Sequence, residues 1–101
     1  MPQLYKYLGI LIFFHSNEHE PIHVHGQYQG NEVKAEIIIE QGKIVEIKLK
    51  AVKNAPPLSG AILNDFTHFI EVHANEIIEK WVEYFVYHKE LKPKVITKRI
   101  K

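Results

Sequence analysis

The pattern of this chain predicts an α+β domain: a four-stranded antiparallel meander followed by one long helix, or two nearly collinear ones, packed on one face. Three observations carry that prediction. Apolar and polar residues alternate with period two in segments between Pro21 and Lys50; apolar residues recur every three or four positions from Ile62 to Phe85; and the turns between the alternating segments are short. Short turns favour antiparallel neighbours, because parallel strands need long crossovers.

Leu4 to Phe14 is apolar at nearly every position, interrupted by Gly9, and reads as one strand with little face left for water. Ser16-Asn17-Glu18 marks a turn. From Pro21, Ile22, Val24 and Tyr28 point one way while His23, His25 and Gln27 point the other, and Pro21 suits a first strand position. A turn begins at Gly30-Asn31. Val33, Ala35, Ile37 and Ile39 then alternate with Glu32, Lys34, Glu36 and Glu40; after Gln41-Gly42, Val45, Ile47 and Leu49 alternate with Glu46, Lys48 and Lys50. Lys53-Asn54-Ala55-Pro56-Pro57 stops the sheet, and Ser59 is a candidate helix cap. Ile62, Phe66, Phe69, Ile70, His73, Ile77, Trp81 and Phe85 trace one helical stripe opposite Asp65, Glu71, Glu79 and Glu83. Pro93 ends any helical continuation, leaving Lys94–Ile100 as either a short fifth edge strand or a loose tail. The expected organisation is one domain over residues 1–101: sheet about 4–50, linker 51–58, helical part about 59–88 and basic tail 89–101.

Composition narrows the function classes. With 46% apolar residues and 11% aromatics the chain can bury a core without cross-links. It has no cysteine, which excludes a disulfide framework, a zinc ribbon and a thiol nucleophile, and suits a reducing cytoplasm. Leu8–Phe14 is far short of the ~20 residues that span a bilayer, and no basic region or small-residue cleavage site surrounds it. The expected location is therefore cytoplasmic, with no membrane partner. The net charge of +1 hides an asymmetry: residues 1–88 carry seven lysines against eleven carboxylates, whereas residues 89–101 carry five lysines and Arg99 against Glu90. No P-loop, G-x-G-x-x-G or G-x-S-x-G motif is present.

The pointed feature is His19-Glu20-Pro21-Ile22-His23-Val24-His25. Residues two apart on a strand share a face, roughly 6–7 Å apart at the backbone. His23 and His25 can thus offer an acid and a base to one substrate, or two imidazoles to one divalent metal, with His19 as third member from the entering turn. What this set lacks is a carboxylate: catalytic zinc usually takes three protein ligands, and Glu18, Glu20 and Glu32 have no diagnostic offset. His73 is either a core histidine bonded to a backbone carbonyl or a residue reaching the pair across the sheet, and alternation argues against the second. His15, His68 and His88 need no role beyond local hydrogen bonds. Trp81 and Tyr28, with the tail cations Lys94, Lys98 and Arg99, are candidate binding residues for stacked bases and phosphates.

At these residues the chain resembles the bacterial family designated domain of unknown function 4160. The family pattern H-x-P-P-H-F-H-V stands here as His19-Glu20-Pro21-Ile22-His23-Val24-His25-Gly26, and its helix pattern W-x-x-x-H-x-x-E-L-x-x-x-W is matched by Phe69, His73, Glu76, Ile77 and Trp81. The resemblance spans roughly residues 8–83. Ile22 replaces the second proline, Phe69 the first helix tryptophan, and the longer Ala51–Leu58 segment the usual L-P entry to the helix; Tyr84–Lys101 lies outside the family core. The resemblance implies a compact α+β fold and a place in small two-gene, toxin–antitoxin-like modules. It implies no activity.

Three functions follow. One is the partner-binding member of such a module, with a protein partner encoded nearby; in its toxin-like form it acts on RNA through His23 and His25, the tail holding phosphate. Another is a metal-binding protein or metal-dependent enzyme using His19, His23 and His25. The last is a non-enzymatic interaction domain in which the histidines order the loop and strand. A homo-oligomer is compatible with each.

Overall fold

The computed structural model describes residues 2–15 and 22–101. The expected turn at Ser16-Asn17-Glu18, the strand start at Pro21 and the candidate ligand His19 lie outside the described residues.

The sheet has six strands, β1 (Gln3–Tyr7), β2 (Ile10–Phe13), β3 (His23–Tyr28), β4 (Asn31–Glu40), β5 (Lys43–Ala51) and β6 (Lys94–Ile96), with one helix, α1 (Gly60–Phe85), between β5 and β6. The spatial order is β5-β4-β3-β2-β1-β6. β1 to β5 form an antiparallel meander, and β6 adds to β1 in parallel. The α+β class stands, but the expected four antiparallel strands become a mixed sheet of six.

Two corrections explain the difference. The run read as a single strand from Leu4 to Phe14 is the β1–β2 hairpin. Leu8 and Gly9 turn it with φ of 50° and 85°, the paired positive values of a two-residue type I′ turn. Leu4, Tyr5, Tyr7, Ile10, Ile12, Phe13 and Phe14 are all buried, so neither strand shows an alternation that would betray the reversal. Gln29-Gly30 and Gln41-Gly42 make the same turn at the next two hairpins, so Asn31 opens β4 rather than lying in the turn. The second correction is the tail. Lys94–Ile96 is an edge strand, as one of the two readings had it, but it lies beside β1 and runs parallel to it, after a helix that crosses from one edge of the sheet to the other.

The helix is one continuous element of 26 residues, ending three residues earlier than expected. Ser59 occupies the N-cap position with an extended backbone, but its side chain makes no cap bond. Phe66, Phe69, Ile70, Ala74 and Ile77 are its buried stripe, meeting Leu4, Tyr5, Tyr7, Ile10, Ile12, Val24, Val33, Ala35 and Ile37 from the sheet. Tyr5 lies edge-on to Phe69, with ring centroids 4.9 Å apart, and donates its hydroxyl proton to the Glu76 carboxylate. Burial and that bond push the Tyr5 hydroxyl well above its ordinary range, so it stays a donor. No helix among the described residues is long and apolar enough to cross a membrane.

The helix packs directly on the sheet backbone at Gly26. An added Cβ there would stand 2.4 Å from Cε1 of Phe66, so the ring fills the space a side chain would need. Gly26 shares its face with Ile12 and Val33, its partners on β2 and β4. The helix therefore covers the face of β3 that carries Val24 and Gly26, and His23 and His25 lie on the opposite face, where both are nonetheless buried.

Gly26→Ala should destabilise the protein by about 1–3 kcal/mol, because the added methyl overpacks a rigid ring. The denaturation midpoint measures this. Phe66→Leu costs stability by itself but should make the additional Gly26→Ala change much cheaper, a coupling that a double-mutant cycle reads directly.

Candidate functional site

On the face opposite the helix, strand pairing sets side chains in rows. Phe13, His25, Lys34 and Lys50 form one row across β2, β3, β4 and β5; His23, Glu36 and Lys48 form the next; Leu11, Gln27 and Glu32 lie on the other side. The two-residue turn at Gln29-Gly30 fixes Glu32 opposite Gln27, diagonal to His25. His15 follows β2 and is held in place as the β1–β2 ladder continues past Phe13 through the bond from Phe14 N to Pro2 O.

These rows bring His15, His25 and Glu32 together. His25 Nδ1 lies 3.0 Å from Glu32 Oε2, and His15 Nε2 lies 3.9 Å from the same oxygen. The His15 and His25 rings stack with centroids 3.9 Å apart, and Phe13 stacks near both, at 5.5 and 5.4 Å. His25 is almost fully buried, Glu32 retains a little exposure, and the His15 side chain is 39% exposed. Gln27 also donates to Glu32, and the Glu32 backbone N–H donates to Pro56 O, so both the carboxylate and its backbone are fixed. The three residues line one side of a recess of about 310 Å³ completed by Lys34, Ala51, Val52 and Lys53.

Such a set can hold a divalent metal. One ligand atom from each residue lies within 4.8 Å of the other two. Around an ion with bonds of about 2.0–2.1 Å, tetrahedral donors stand about 3.3 Å apart, and the separations of 3.0 and 3.9 Å bracket that value. Two imidazoles and a carboxylate are three protein ligands, which leaves a fourth position toward the recess.

His23 belongs to a neighbouring group. Its ring is edge-on to His25 at 5.3 Å, and across the sheet it pairs with Glu36, which is buried. Burial alone would raise the Glu36 carboxyl, but Lys50 at 3.0 Å, Lys34 at 3.8 Å and His23 outweigh it and hold the group below the ordinary carboxylate range.

The other sequence-predicted site residues are distributed elsewhere. His73 is on the helix side of the sheet, with Nδ1 3.1 Å from Phe69 O and its ring stacked on Phe69 at 4.0 Å. The sheet thus separates it from His23 and His25. Trp81 packs on Phe85, its indole N–H buried without an acceptor among the described residues. Tyr28 covers the Gly9 turn. Lys94 pairs with Glu76 at 3.4 Å, and Arg99 makes two bonds to Asp65, at 3.2 and 2.9 Å. Lys98 is exposed. The tail cations are therefore gathered at the seam of β6 and α1, not beside the histidines. His15 and Glu32 as members of the cluster around His25 are what sequence reasoning missed. The turn glycine that fixes the β3–β4 register was the signal for Glu32; His15 had none apart from the unrecognised β1–β2 hairpin.

Because the folded carboxyl of Glu36 is depressed, its contribution is present above the ordinary value of 4.5 and is lost as pH falls below it. Stability should therefore drop as pH falls from 5 toward 3. Glu36→Gln should lower stability at neutral pH and flatten that acid limb, which denaturant titration at a series of pH values checks.

No curated protein and no solved structure matches this chain. The family model described as a domain of unknown function, DUF4160, matches residues 9–82, a span that holds β2 to β5, most of α1 and all three clustered residues, while β1, β6 and the tail lie outside it. The chain belongs to the DUF4160 family.

Proposed function

We propose that this protein binds a divalent metal through His15, His25 and Glu32, with the open coordination position facing the recess. The observation that carries this reading is the convergence of two ring nitrogens on one carboxylate oxygen, at 3.0 and 3.9 Å, on the face of the sheet opposite α1. The cluster supplies the carboxylate that the H-x-H motif lacks, and it uses His25 but not His23. Three protein ligands with a vacant fourth position suit metal-assisted hydrolysis better than a closed structural site. His23 then acts as a buried neighbour that fixes the His25 ring, with Glu36 behind it.

Untagged protein titrated with Co²⁺ or Zn²⁺ should bind one ion. His15→Ala, His25→Ala and Glu32→Ala should each weaken binding by about 10–100-fold or more, while His23→Ala has a smaller effect. Circular dichroism confirms that each variant is folded. Metal affinity that is unchanged in His15→Ala and Glu32→Ala, or that follows His23 instead, would refute the assignment.

A second reading, the partner-binding member of a two-gene module, draws on a separate observation. β5 is an edge strand of nine residues, and Val45 and Leu49 on it, with Ile39 beside it, are exposed at 54%, 39% and 38%. An exposed apolar edge of that length suits addition of a partner's strand. Co-expression with the adjacent gene should yield a complex that Val45→Lys weakens, and failure to co-purify would dismiss it.

A further inference from the structure

We infer that the recess beside the histidine–carboxylate cluster is a phosphate subsite, and that the ligands of this protein are phosphate esters held by Lys34 and Lys53. The inference rests on the metal reading for the position of the ester, but its own evidence is the placement of the lysines.

Lys34 and Lys50 are directly opposite each other on β4 and β5. Like charges in that relation destabilise a sheet. Glu36 is the carboxylate within reach of both, at 3.8 and 3.0 Å, and one carboxylate balances one of the two ammonium groups. Lys53, just past β5, lines the same recess as Lys34. Among the described residues lining the recess, Lys34 and Lys53 thus bring two ammonium groups against the one carboxylate of Glu32. Glu32 already faces His25 and His15 and takes the Gln27 amide. A bound divalent ion would add further positive charge to the same space.

The geometry suits an anion with several acceptor oxygens. Lys34 is the cross-strand neighbour of His25, so its side chain starts one strand away from the metal ligands. One phosphoryl oxygen can take the open metal position while others accept from Lys34 and Lys53. The ammonium group supplies three donors without demanding the planar geometry of a carboxylate, which fits a tetrahedral anion. The volume of about 310 Å³ accommodates a phosphate with a small organic group. The tail cations first expected to hold phosphate point elsewhere, with Lys94 and Arg99 paired to helix carboxylates.

The test uses full-length protein loaded with Co²⁺, with inorganic phosphate as the first probe. Phosphate should change the visible spectrum of the bound Co²⁺ in a saturable way. Lys34→Ala and Lys53→Ala should each weaken that response about tenfold, while Co²⁺ affinity changes little and Lys43→Ala, at the far end of β5, has no effect. Phenyl phosphate and a uridine oligonucleotide then separate the two sources of the ester. Tighter, salt-sensitive binding of the oligonucleotide that still depends on Lys34 and Lys53 identifies a nucleic-acid backbone, and preference for phenyl phosphate identifies a free monoester. A spectrum indifferent to phosphate, or a response equal in all three lysine variants, overturns the subsite. If Co²⁺ itself fails to bind, the metal reading has failed separately. Calorimetry of phosphate with the metal-free protein then decides the subsite, which stands if binding needs Lys34 and Lys53 and falls if there is none.

Discussion

The contact between the Phe66 ring and the bare backbone of Gly26 is the constraint on which the arrangement depends. Phe66 is fully buried, and its apolar area contributes about 2–3 kcal/mol. It reaches that depth only because the residue beneath it has no Cβ. The contact seats the helix on one face of β3, and strand alternation does the rest: with Gly26 and Val24 toward the helix, His25 and His23 must face away. Adjacent residues in the sequence therefore divide the work. Gly26 fixes the packing, and His25, one position earlier, meets Glu32 and His15 on the far side. Moving the register of β3 by one residue would place a histidine under Phe66 and a glycine beside Glu32.

Much of this was legible in the sequence, and what was not has physical causes. β4 and β5 have one face toward polar surroundings, so alternation marks them clearly. The helix stripe from Ile62 to Phe85 is long enough that period 3.6 is unambiguous. The β1–β2 hairpin was hidden because its buried residues fall on both faces of the strands rather than alternating, and because Leu8, not an asparagine or aspartate, takes the first left-handed turn position. β6 has three residues and gains its place from pairing with β1 rather than from any pattern of its own. At the site, local spacing revealed His23 and His25 but could not choose between them. That choice depends on which neighbours arrive from other strands: Glu32 from β4 beside His25, and His15 from the end of β2.

Charge also has to be assigned in three dimensions. Summed along the chain, the body is acidic and the tail basic, which suggests a cationic arm free to meet an anionic ligand. Folded, the tail lies against the most acidic element: Arg99 meets Asp65, Lys94 meets Glu76, and Ile100 N–H donates to the Tyr7 hydroxyl. The Tyr5 hydroxyl and then Lys94 hold the Glu76 carboxyl below its ordinary range, against the opposite pull of burial. The tail and helix thereby satisfy each other at the β1 edge. Lys34 and Lys53, from within the nominally acidic body, instead line the recess beside His15, His25 and Glu32.

A purely structural role for the histidines has to be weighed against that distribution. A buried His25 bonded to Glu32 is a satisfied polar pair, and by itself it needs no ligand. The rest of the cluster exceeds what such a pair requires. His15 is substantially exposed yet stacks on His25 and approaches the same carboxylate oxygen. Lys34 and Lys50 oppose one another at a cost that an uncharged residue at either position would avoid. His73 provides the internal comparison. It lies near Phe69 O of its own helix and stacks on Phe69 and beside Tyr5, within the packing between helix and sheet. Two histidines on opposite faces of one sheet thus differ in setting: His73 belongs to the packing of the helix, whereas His25 shares a recess with His15, Glu32, Lys34 and Lys53.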